Sequence, residues 1–362
     1  ATTPAPQARL HDEIDYRLPW GPIGAVAGGW IVRRMLRRMF AYRHRRTVHD
    51  VERHALFADR GPLRLAITGA TGLVGRALTS YLQGAGHTVL GLTRRPRADH
   101  GEIGWDPRTG SLDAAALDGV DGVIHLAGET VAQRWNAAAK RRILDSRVQS
   151  TELLARTLAT MPRRPRLLIS MSASGFYGDT RNTEVDETSP PGDDFLAEVC
   201  KAWEAAAEPA RQAGIRVVHP RLGVVLAANG GALAQLLTPL KLGIAGPVGS
   251  GRAYWPWISL EDTVGALEWL VHQDELAGPV NVCAPTAVSN ATLMRALGRV
   301  LWRPTLLPLP SVAVSLLFGE MGRTVLLRGQ RMRPAKLQAS GFTWRTPSLD
   351  DALRFELGYL QT

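Results

Sequence analysis

The sequence predicts an α/β fold in which a doubly wound parallel sheet carries a smaller C-terminal lobe. Two observations support this class. Strand-like apolar runs alternate with helical stretches through the middle of the chain, and from about residue 228 short helices and connections rich in Gly and Pro replace them. The runs are continuous in Val, Ile and Leu, as expected for strands that helices cover on both faces.

Three regions follow from this pattern: a basic extension over 1–62, the sheet domain over 63–227, and a smaller lobe over 228–362 that returns some strands to the sheet. The predicted strands are 63–68, 88–92, 122–127, 166–171 and 215–218. The predicted helices between them are 73–84, 137–160 and 194–213.

The extension carries half of the chain's net charge of +10, because it contains eleven arginines and six acidic residues. Its stretch "HDEIDYRLP" (11–19) alternates like a strand, 23–46 has apolar residues at helical spacing beside an arginine face, and "FADRGP" (57–62) is typical of a linker. We expect the helix to pack its apolar face on the main domain and to expose its arginines. Peripheral contact with lipid is a less favoured alternative, and no nucleic-acid reader motif accompanies the arginines.

No secretory signal or membrane-spanning run is visible, since the uncharged stretches at 18–32, 222–240 and 304–319 are short or broken by Gly and Pro. Cys200 and Cys283 are too few for a disulfide framework and are not grouped with histidines. The sequence therefore predicts a cytoplasmic protein without a structural metal.

A glycine turn follows the first strand in "LAITGATGLVGRAL" (65–78). Gly69 permits a tight turn, Gly72 lets the backbone approach a pyrophosphate, and Gly75 lets helix and strand pack closely. The helix N-terminus adds N–H donors and a positive dipole. We therefore expect a dinucleotide to contact Gly69, Thr71, Gly72, Leu73, Val74 and Gly75; a purely structural turn is the alternative.

The end of the second strand indicates which dinucleotide is bound. An NAD site calls for Asp or Glu there, to accept from the ribose 2′-OH. The chain has Thr93, Arg94 and Arg95 instead, with no acid beside them in the sequence. Arginine suits a 2′-phosphate, so the pattern favours NADP (NADPH) over NAD, and a solvated basic loop is the alternative.

The third strand ends in "VIHLAGE" (123–129), whose small residues let a cofactor lie against the strand. Leu126, Ala127 and Gly128 are the predicted contacts. Glu129 is a candidate acid or acceptor for a cofactor hydroxyl, or else a solvated carboxylate. His125 lies inside the strand and is predicted to be a core residue.

Together these motifs carry a resemblance. "TGATGLVG", "LTRRP", "GWDP" (104–107), "HLAGE", "RW…DSR" (134–147), "PPGDDFLAEVCKAWEAAA" (190–207), "AGPVGSG" (245–251) and "GQRMRPAKLQASGF" (329–342) resemble atypical short-chain dehydrogenase/reductases of the epimerase family. The resemblance implies an NAD(P)-binding Rossmann domain, here 63–227, and a small C-terminal domain of unknown function. Residues 1–62 resemble the end of a START-like, polyketide-cyclase-type lipid-binding domain, of which they would be a remnant.

The resemblance also implies a catalytic pattern that this chain does not complete. Typical members use Tyr-x-x-x-Lys with a preceding Ser or Thr, and the lysine lowers the pKa of the tyrosine that exchanges a proton. Here Lys201 follows Ala197 by four residues, so the tyrosine is absent. The catalytic candidates are therefore Ser172, Ser174, Tyr177 and Lys201, and each has a structural alternative.

Arg147 stands where the resemblance implies an Asn that organises the site. It is a candidate for holding a cofactor phosphate or an acidic substrate, and a surface charge on a helix is the alternative. The predicted function is an NADP-binding oxidoreductase or epimerase that acts on a small-molecule substrate. A non-catalytic NADP-binding sensor or scaffold is the second hypothesis, because the tyrosine is missing. The sequence identifies neither the substrate nor the oligomeric state.

Overall fold

A computed structural model describes residues 11–18, 21–97 and 101–360 of the chain. Its strands are β1 (Arg64–Thr68), β2 (Thr88–Thr93), β3 (Ile103–Asp106), β4 (Ser111–Leu112), β5 (Gly122–His125), β6 (Leu167–Ser170), β7 (Ser172–Ala173), β8 (Glu184–Val185), β9 (Arg216–Leu222), β10 (Val224–Leu226), β11 (Tyr254–Trp255), β12 (Trp257–Ser259), β13 (Gly278–Val282), β14 (Val288–Ser289) and β15 (Arg331–Met332). Its helices are α1 (Gly21–His54), α2 (Leu73–Gly84), α3 (Ala137–Thr160), α4 (Phe195–Ala205), α5 (Glu208–Gln212), α6 (Gly231–Lys241), α7 (Leu260–His272), α8 (Asn290–Leu301), α9 (Ser311–Met321), α10 (Ala335–Ala339) and α11 (Leu349–Glu356).

The main sheet has the order β13-β9-β6-β5-β1-β2-β3-β4 within the described part of the chain, and β7 also pairs with β9. Every pairing from β13 to β3 is parallel, and only β4 runs antiparallel, against β3. The first strand of the sheet, β1, is central and later strands are added on both sides of it, so the switch in strand order lies between β1 and β5. This is the predicted doubly wound Rossmann-like fold, and ligands bind at such a switch point.

Helices cover both faces of the sheet. On one face α2 and α7 contribute buried leucines such as Leu78, Leu82 and Leu267. On the other face Leu154 and Leu158 of α3 pack beside residues of the α5 segment. β13 and α7 come from the region after residue 228, so that region completes both the edge and one face of the sheet. A third apolar cluster, around α6, α8 and α11, forms the core of the smaller lobe.

The C-terminal half of α1 is anchored to α7 by a buried ion pair. Arg53 donates from Nη1 to the Glu261 carbonyl oxygen at 2.7 Å and from Nη2 to Asp262 Oδ1 at 2.5 Å. Gly265 makes this contact feasible, since a Cβ there would overlap the Arg53 guanidinium. The Asp262 carboxylate also accepts from the backbone N–H groups of Arg345 at 2.7 Å and Thr346 at 3.0 Å. One carboxylate thus joins the extension, α7 and the C-terminal segment.

The extension departs from its prediction in two ways. Residues 11–18 form no strand, and Pro19 of the predicted stretch lies outside the described residues. Asp12 pairs instead with Arg43 and His44 of α1, and none of the strands that the structure describes pairs with this segment. Residues 55–60 form a 3₁₀ helix rather than a free linker, because Phe57 stacks on His272 with a centroid distance of 4.2 Å.

The predicted helix over 194–213 is interrupted. α4 ends at Ala205 and α5 begins at Glu208, with Pro209 in its first turn, where the missing N–H of proline costs no helical hydrogen bond.

Among the residues that the structure describes, no helix is long and apolar enough to span a bilayer.

We expect Asp262→Ala to lower the free energy of unfolding by about 3–5 kcal/mol, because it leaves the Arg53 guanidinium buried without its counter-charge. Urea unfolding followed by circular dichroism measures the change. Asp274→Ala is the matched control, since that carboxylate is 64% exposed and pairs with Arg60 and Arg216 at 3.6 and 3.7 Å. Equal losses in the two variants would contradict the anchoring role.

Candidate cofactor site

A cavity of about 700 Å³ lies at the carboxyl ends of β1, β2, β3 and β5. The segments that follow these strands form its walls because parallel strands end at the same edge of a sheet. Nine of the predicted cofactor residues line it: Gly69, Thr71, Gly72, Thr93, Arg94, Leu126, Ala127, Gly128 and Glu129. Leu73, Val74 and Gly75 form the first turn of α2 next to this lining.

The glycine turn is built by close backbone approach. Gly69 has a φ of +69°, and a Cβ there would lie 3.0 Å from the Ala127 N atom. The Gly72 N–H donates to the Gly69 carbonyl oxygen at 2.9 Å, which closes the turn. A Cβ on Gly75 would overlap that same carbonyl oxygen. The turn therefore brings the start of α2 to the edge of the cavity, as the glycine spacing predicts.

The N-terminus of α2 is suited to an anion. Gly72 is its N-cap, and no side chain caps the first turn. The first N–H groups of a helix have no partner inside the helix and carry partial positive charge, which suits a phosphate group. The residues present thus fit the pyrophosphate of a dinucleotide.

An arginine cluster borders the far end of the cavity. A second cavity, of about 620 Å³, is lined by Thr93, Arg94, Arg95, Asp106 and Arg108. β3 lies beside β2, with Thr93 opposite Gly104, so the turn after β3 brings Arg108 next to the arginines after β2. The sequence analysis did not predict Arg108. The stretch "GWDPR" (104–108) indicates a cofactor contact only when β3 is known to lie beside β2.

Asp106 is an acidic residue close to this cluster, although no acid adjoins Thr93, Arg94 and Arg95 in the sequence. Its Oδ1 accepts from the Arg108 backbone N–H at 3.0 Å, and its Oδ2 accepts from Nη2 of that arginine at 3.3 Å. The hydrogen bonds from Arg108 lower the pKa of the Asp106 carboxyl. The carboxylate is therefore engaged by Arg108, and the cluster keeps an excess of positive charge.

His125 is a core residue, as predicted. Its Nδ1 lies 2.6 Å from Thr68 Oγ1, and its Nε2 lies 2.9 Å from Ser150 Oγ. Burial and the charge of Arg147 lower its pKa to about 3, so the ring is neutral at physiological pH. The histidine links β5 to β1 and α3.

Arg147 supports the loop after β5. Its Nη1 donates to the Glu129 carbonyl oxygen at 2.9 Å, and its guanidinium lies 5.0 Å from the Trp203 ring centroid. A Cβ on Gly128 would lie 3.2 Å from the Arg147 Cζ atom, so this glycine makes room for the guanidinium. The arginine packs beneath the cavity wall, and a direct contact with a cofactor phosphate stays a prediction.

Ser172 and Tyr177 belong to a buried hydrogen-bond network. The Ser172 hydroxyl donates to Glu204 Oε1 at 2.7 Å, and Arg221 binds both oxygens of that carboxylate at 2.8 and 2.9 Å. The Tyr177 hydroxyl accepts from Arg221 at 3.0 Å and donates to Asn281 Oδ1 at 2.7 Å. Burial raises the pKa of Tyr177 to about 12, so it stays protonated. Both hydroxyls are engaged by protein groups.

The other two catalytic candidates lie apart from this network. Ser174 is half-buried in the 3₁₀ turn 174–177, whereas Lys201 is exposed on α4. The structure does not bring Lys201 to the serines. α4 directs Leu196 and Cys200 toward that turn: a Cβ on Gly175 would lie 3.1 Å from Leu196 Cβ, and Cys200 Sγ lies 3.7 Å from the Ala173 carbonyl oxygen.

Comparison with known proteins agrees with this geometry. The model of the NAD dependent epimerase/dehydratase family matches residues 65–283, more than half of the chain. The chain belongs to this family. A second model, a domain of unknown function called DUF1731, matches residues 309–356. An epimerase family protein of Mycobacterium bovis, Mb2239, is 44% identical over 292 residues, which cover 80% of this chain and 96% of that protein.

Two solved structures of epimerase-family proteins are similar to the chain. Human SDR39U1 (isoform 2), determined with NADPH, is 34% identical with a TM-score of 0.76, covering 82% of this chain and 100% of that chain. A nucleoside-diphosphate sugar epimerase from Corynebacterium glutamicum is 37% identical with a TM-score of 0.76. That match covers 90% of this chain but only 65% of the other, so this chain spans about two thirds of its length.

These two family models cover most of the chain but do not include the N-terminal extension. The epimerase model runs from β1 to the residue after β13, and the DUF1731 model covers α9, α10 and α11. Neither model includes residues 1–62, and the START-like resemblance of that segment stays a prediction.

We expect Gly75→Ala to weaken dinucleotide binding about tenfold or more, because the methyl group forces the Gly69 carbonyl away from the turn. Gly84→Ala, at the C-terminal end of the same helix, is the control, since the nearest atom to its Cβ is His54 Nε2 at 3.9 Å. Isothermal titration calorimetry with NADPH gives both affinities, and thermal unfolding verifies that each variant folds. Unchanged NADPH affinity in Gly75→Ala would contradict the site.

Proposed function

We propose that this epimerase-family protein binds NADP(H) and uses it to exchange a hydride with a small polar substrate. The observation that carries the choice of cofactor is the meeting of Arg94, Arg95 and Arg108 around one cavity. An adenosine ribose that carried a 2′-phosphate there would be held by charge-assisted hydrogen bonds from guanidinium groups. The NADPH in the similar human structure supports the same choice.

The residues of the site divide the binding task by position. The first turn of α2 would receive the pyrophosphate, and the arginine cluster would receive the 2′-phosphate. Small residues after β5 leave the cofactor room to lie against the sheet edge. When bound, the nicotinamide supplies the hydride-transfer chemistry.

We infer that, of the three predicted catalytic hydroxyls, Ser174 is the best suited to bind a substrate oxygen. It is half-buried in the turn after β7, whereas Ser172 and Tyr177 are engaged by Glu204, Arg221 and Asn281. In this proposal Ser174 donates a hydrogen bond to the substrate, and the buried network holds the turn rigid beneath it.

Cys200 and Cys283 are free and buried, which supports a cytoplasmic location.

One observation favours the second function, a non-catalytic NADP(H)-binding sensor or scaffold. The residues of α4 that approach the turn are Leu196 and Cys200, neither of which suits proton exchange in the way that Tyr and Lys do. Burial raises the pKa of the Cys200 thiol to about 11, so it is protonated at neutral pH. Measurement of hydride transfer separates the two functions.

We expect Arg94→Ala, Arg95→Ala and Arg108→Ala each to weaken NADPH binding about tenfold to a hundredfold, the cost of one lost hydrogen bond to a charged group. NADH binding should change less than about twofold, because NADH lacks the 2′-phosphate. Calorimetric titration with both nucleotides gives the ratio. Arg163→Ala is the control, because the Arg163 side chain is 76% exposed and lies near the amino ends of the strands, away from the cavity. Equal losses for NADPH and NADH would refute the 2′-phosphate assignment.

Hydride transfer is tested with NADPH deuterated at the nicotinamide C4 position and a panel of aldehydes and ketones that includes keto forms of nucleotide sugars, because NADPH donates its hydride to a carbonyl carbon. We expect deuterium to appear in at least one product and Ser174→Ala to lower its rate about a hundredfold. Ser80→Ala, an exposed serine of α2, is the control. Tight NADPH binding with no transfer to any compound would favour the sensor function instead.

A further inference from the structure

The N-terminal half of α1 carries arginines without acidic partners. Arg33, Arg34 and Arg37 line a groove of about 810 Å³ together with Arg354 and the rings of Trp30 and Tyr359. Within the described residues none of these four arginines forms an ion pair with a carboxylate, whereas Arg43, Arg46 and Arg53 further along the helix do. The groove therefore concentrates uncompensated positive charge.

The groove has one wall that is held in place. Arg38 donates from Nε to the Gly358 carbonyl oxygen at 2.8 Å and from Nη2 to the Leu357 carbonyl oxygen at 3.2 Å. Its guanidinium carbon lies 3.7 Å from the centroid of the Tyr359 ring. These contacts fix α1 against the segment after α11, so the arginines lie on a formed surface.

Apolar side chains are exposed beside the same arginines. Ile31, Met35 and Met39 recur every four residues, which aligns them along one side of the helix. They are 46%, 63% and 46% exposed, and Trp30 is 61% exposed. Met35 and Met39 share a shallow hollow with Arg38, so the apolar stripe borders the groove. The sequence prediction that the helix would bury its apolar face on the main domain therefore does not hold for this half.

This combination points to one kind of partner. We propose that the face of α1 from Trp30 to Met39, with Arg354, docks the protein on an anionic lipid surface. Guanidinium groups bind lipid phosphates, and neighbouring Ile, Met and Trp side chains insert at the boundary between headgroups and acyl chains. Nucleic acid matches the charge alone, because a phosphate backbone leaves the apolar stripe in water. The chain's net charge of +10 attracts it to such a surface from a distance.

Sedimentation of the full chain with vesicles tests the proposal. The vesicles are phosphatidylcholine alone or phosphatidylcholine mixed with phosphatidylserine. We expect binding to the mixed vesicles only, decreasing as NaCl is raised. The triple variant Arg33→Gln, Arg34→Gln, Arg37→Gln should lose on the order of a hundredfold in partitioning, since each basic residue near the surface is worth about fivefold.

A control variant with the same loss of charge tests whether vesicle binding depends on this face of α1 or only on the net charge of the chain. Arg163→Gln, Arg252→Gln, Arg295→Gln removes three exposed arginines elsewhere and should bind the mixed vesicles like the unchanged chain. Ile31→Ser with Met35→Ser should lower vesicle partitioning about tenfold while leaving any binding to duplex DNA unchanged. The proposal is overturned if neither vesicle binds, if both triple variants lose binding equally, or if the chain binds duplex DNA but not the mixed vesicles. Circular dichroism verifies that every variant keeps its helical content.

Discussion

The candidate site depends on one constraint: β1, β2, β3 and β5 are parallel neighbours, so the segments that follow them must share a single edge. At that edge Gly69 approaches the backbone of Ala127 so closely that a Cβ would lie 3.0 Å from the Ala127 N atom. This contact holds the glycine turn against the loop after β5, and both segments line the cavity. The arginines after β2 and β3 then lie side by side for the same topological reason.

The buried network around Glu204 joins side chains of α4, β7 and β9 beneath the turn at 174–177. Arg221 and Glu204 form a bidentate pair whose remaining hydrogen-bonding groups reach Ser172 and Tyr177. Unpaired charges would be costly in this interior, so each partner requires the other. The network therefore stiffens the turn that carries Ser174 and occupies hydroxyl groups that a simpler interpretation assigns to catalysis.

Sequence periodicity predicted the elements of the sheet domain well because each has a strong local signal. The bounds of α2 and α3 agree with the prediction, and β1, β5 and β6 lie within the predicted runs. Features that depend on neighbours distant in the chain were not predictable. Arg108 joins the cluster only through the pairing of β3 with β2, and α4 directs Leu196 and Cys200, not Lys201, to the turn because of its rotation in the packed structure. The weak alternation at 11–18 formed no strand because sheet pairing requires a partner that local sequence does not reveal.

The two halves of α1 use arginine in opposite ways, and the difference lies in their surroundings. Arg53 is buried beside Asp262, where the carboxylate offsets the cost of removing its charge from water. Among the described residues Arg34 and Arg37 have no acidic partner, and they stay exposed, where hydration stabilises their charge and leaves it available to a ligand. Net charge alone does not distinguish these roles. A basic helix that ends in a buried ion pair is held rigidly, so its charged end has a fixed position relative to the sheet domain, and any surface it binds would also orient the cofactor cavity.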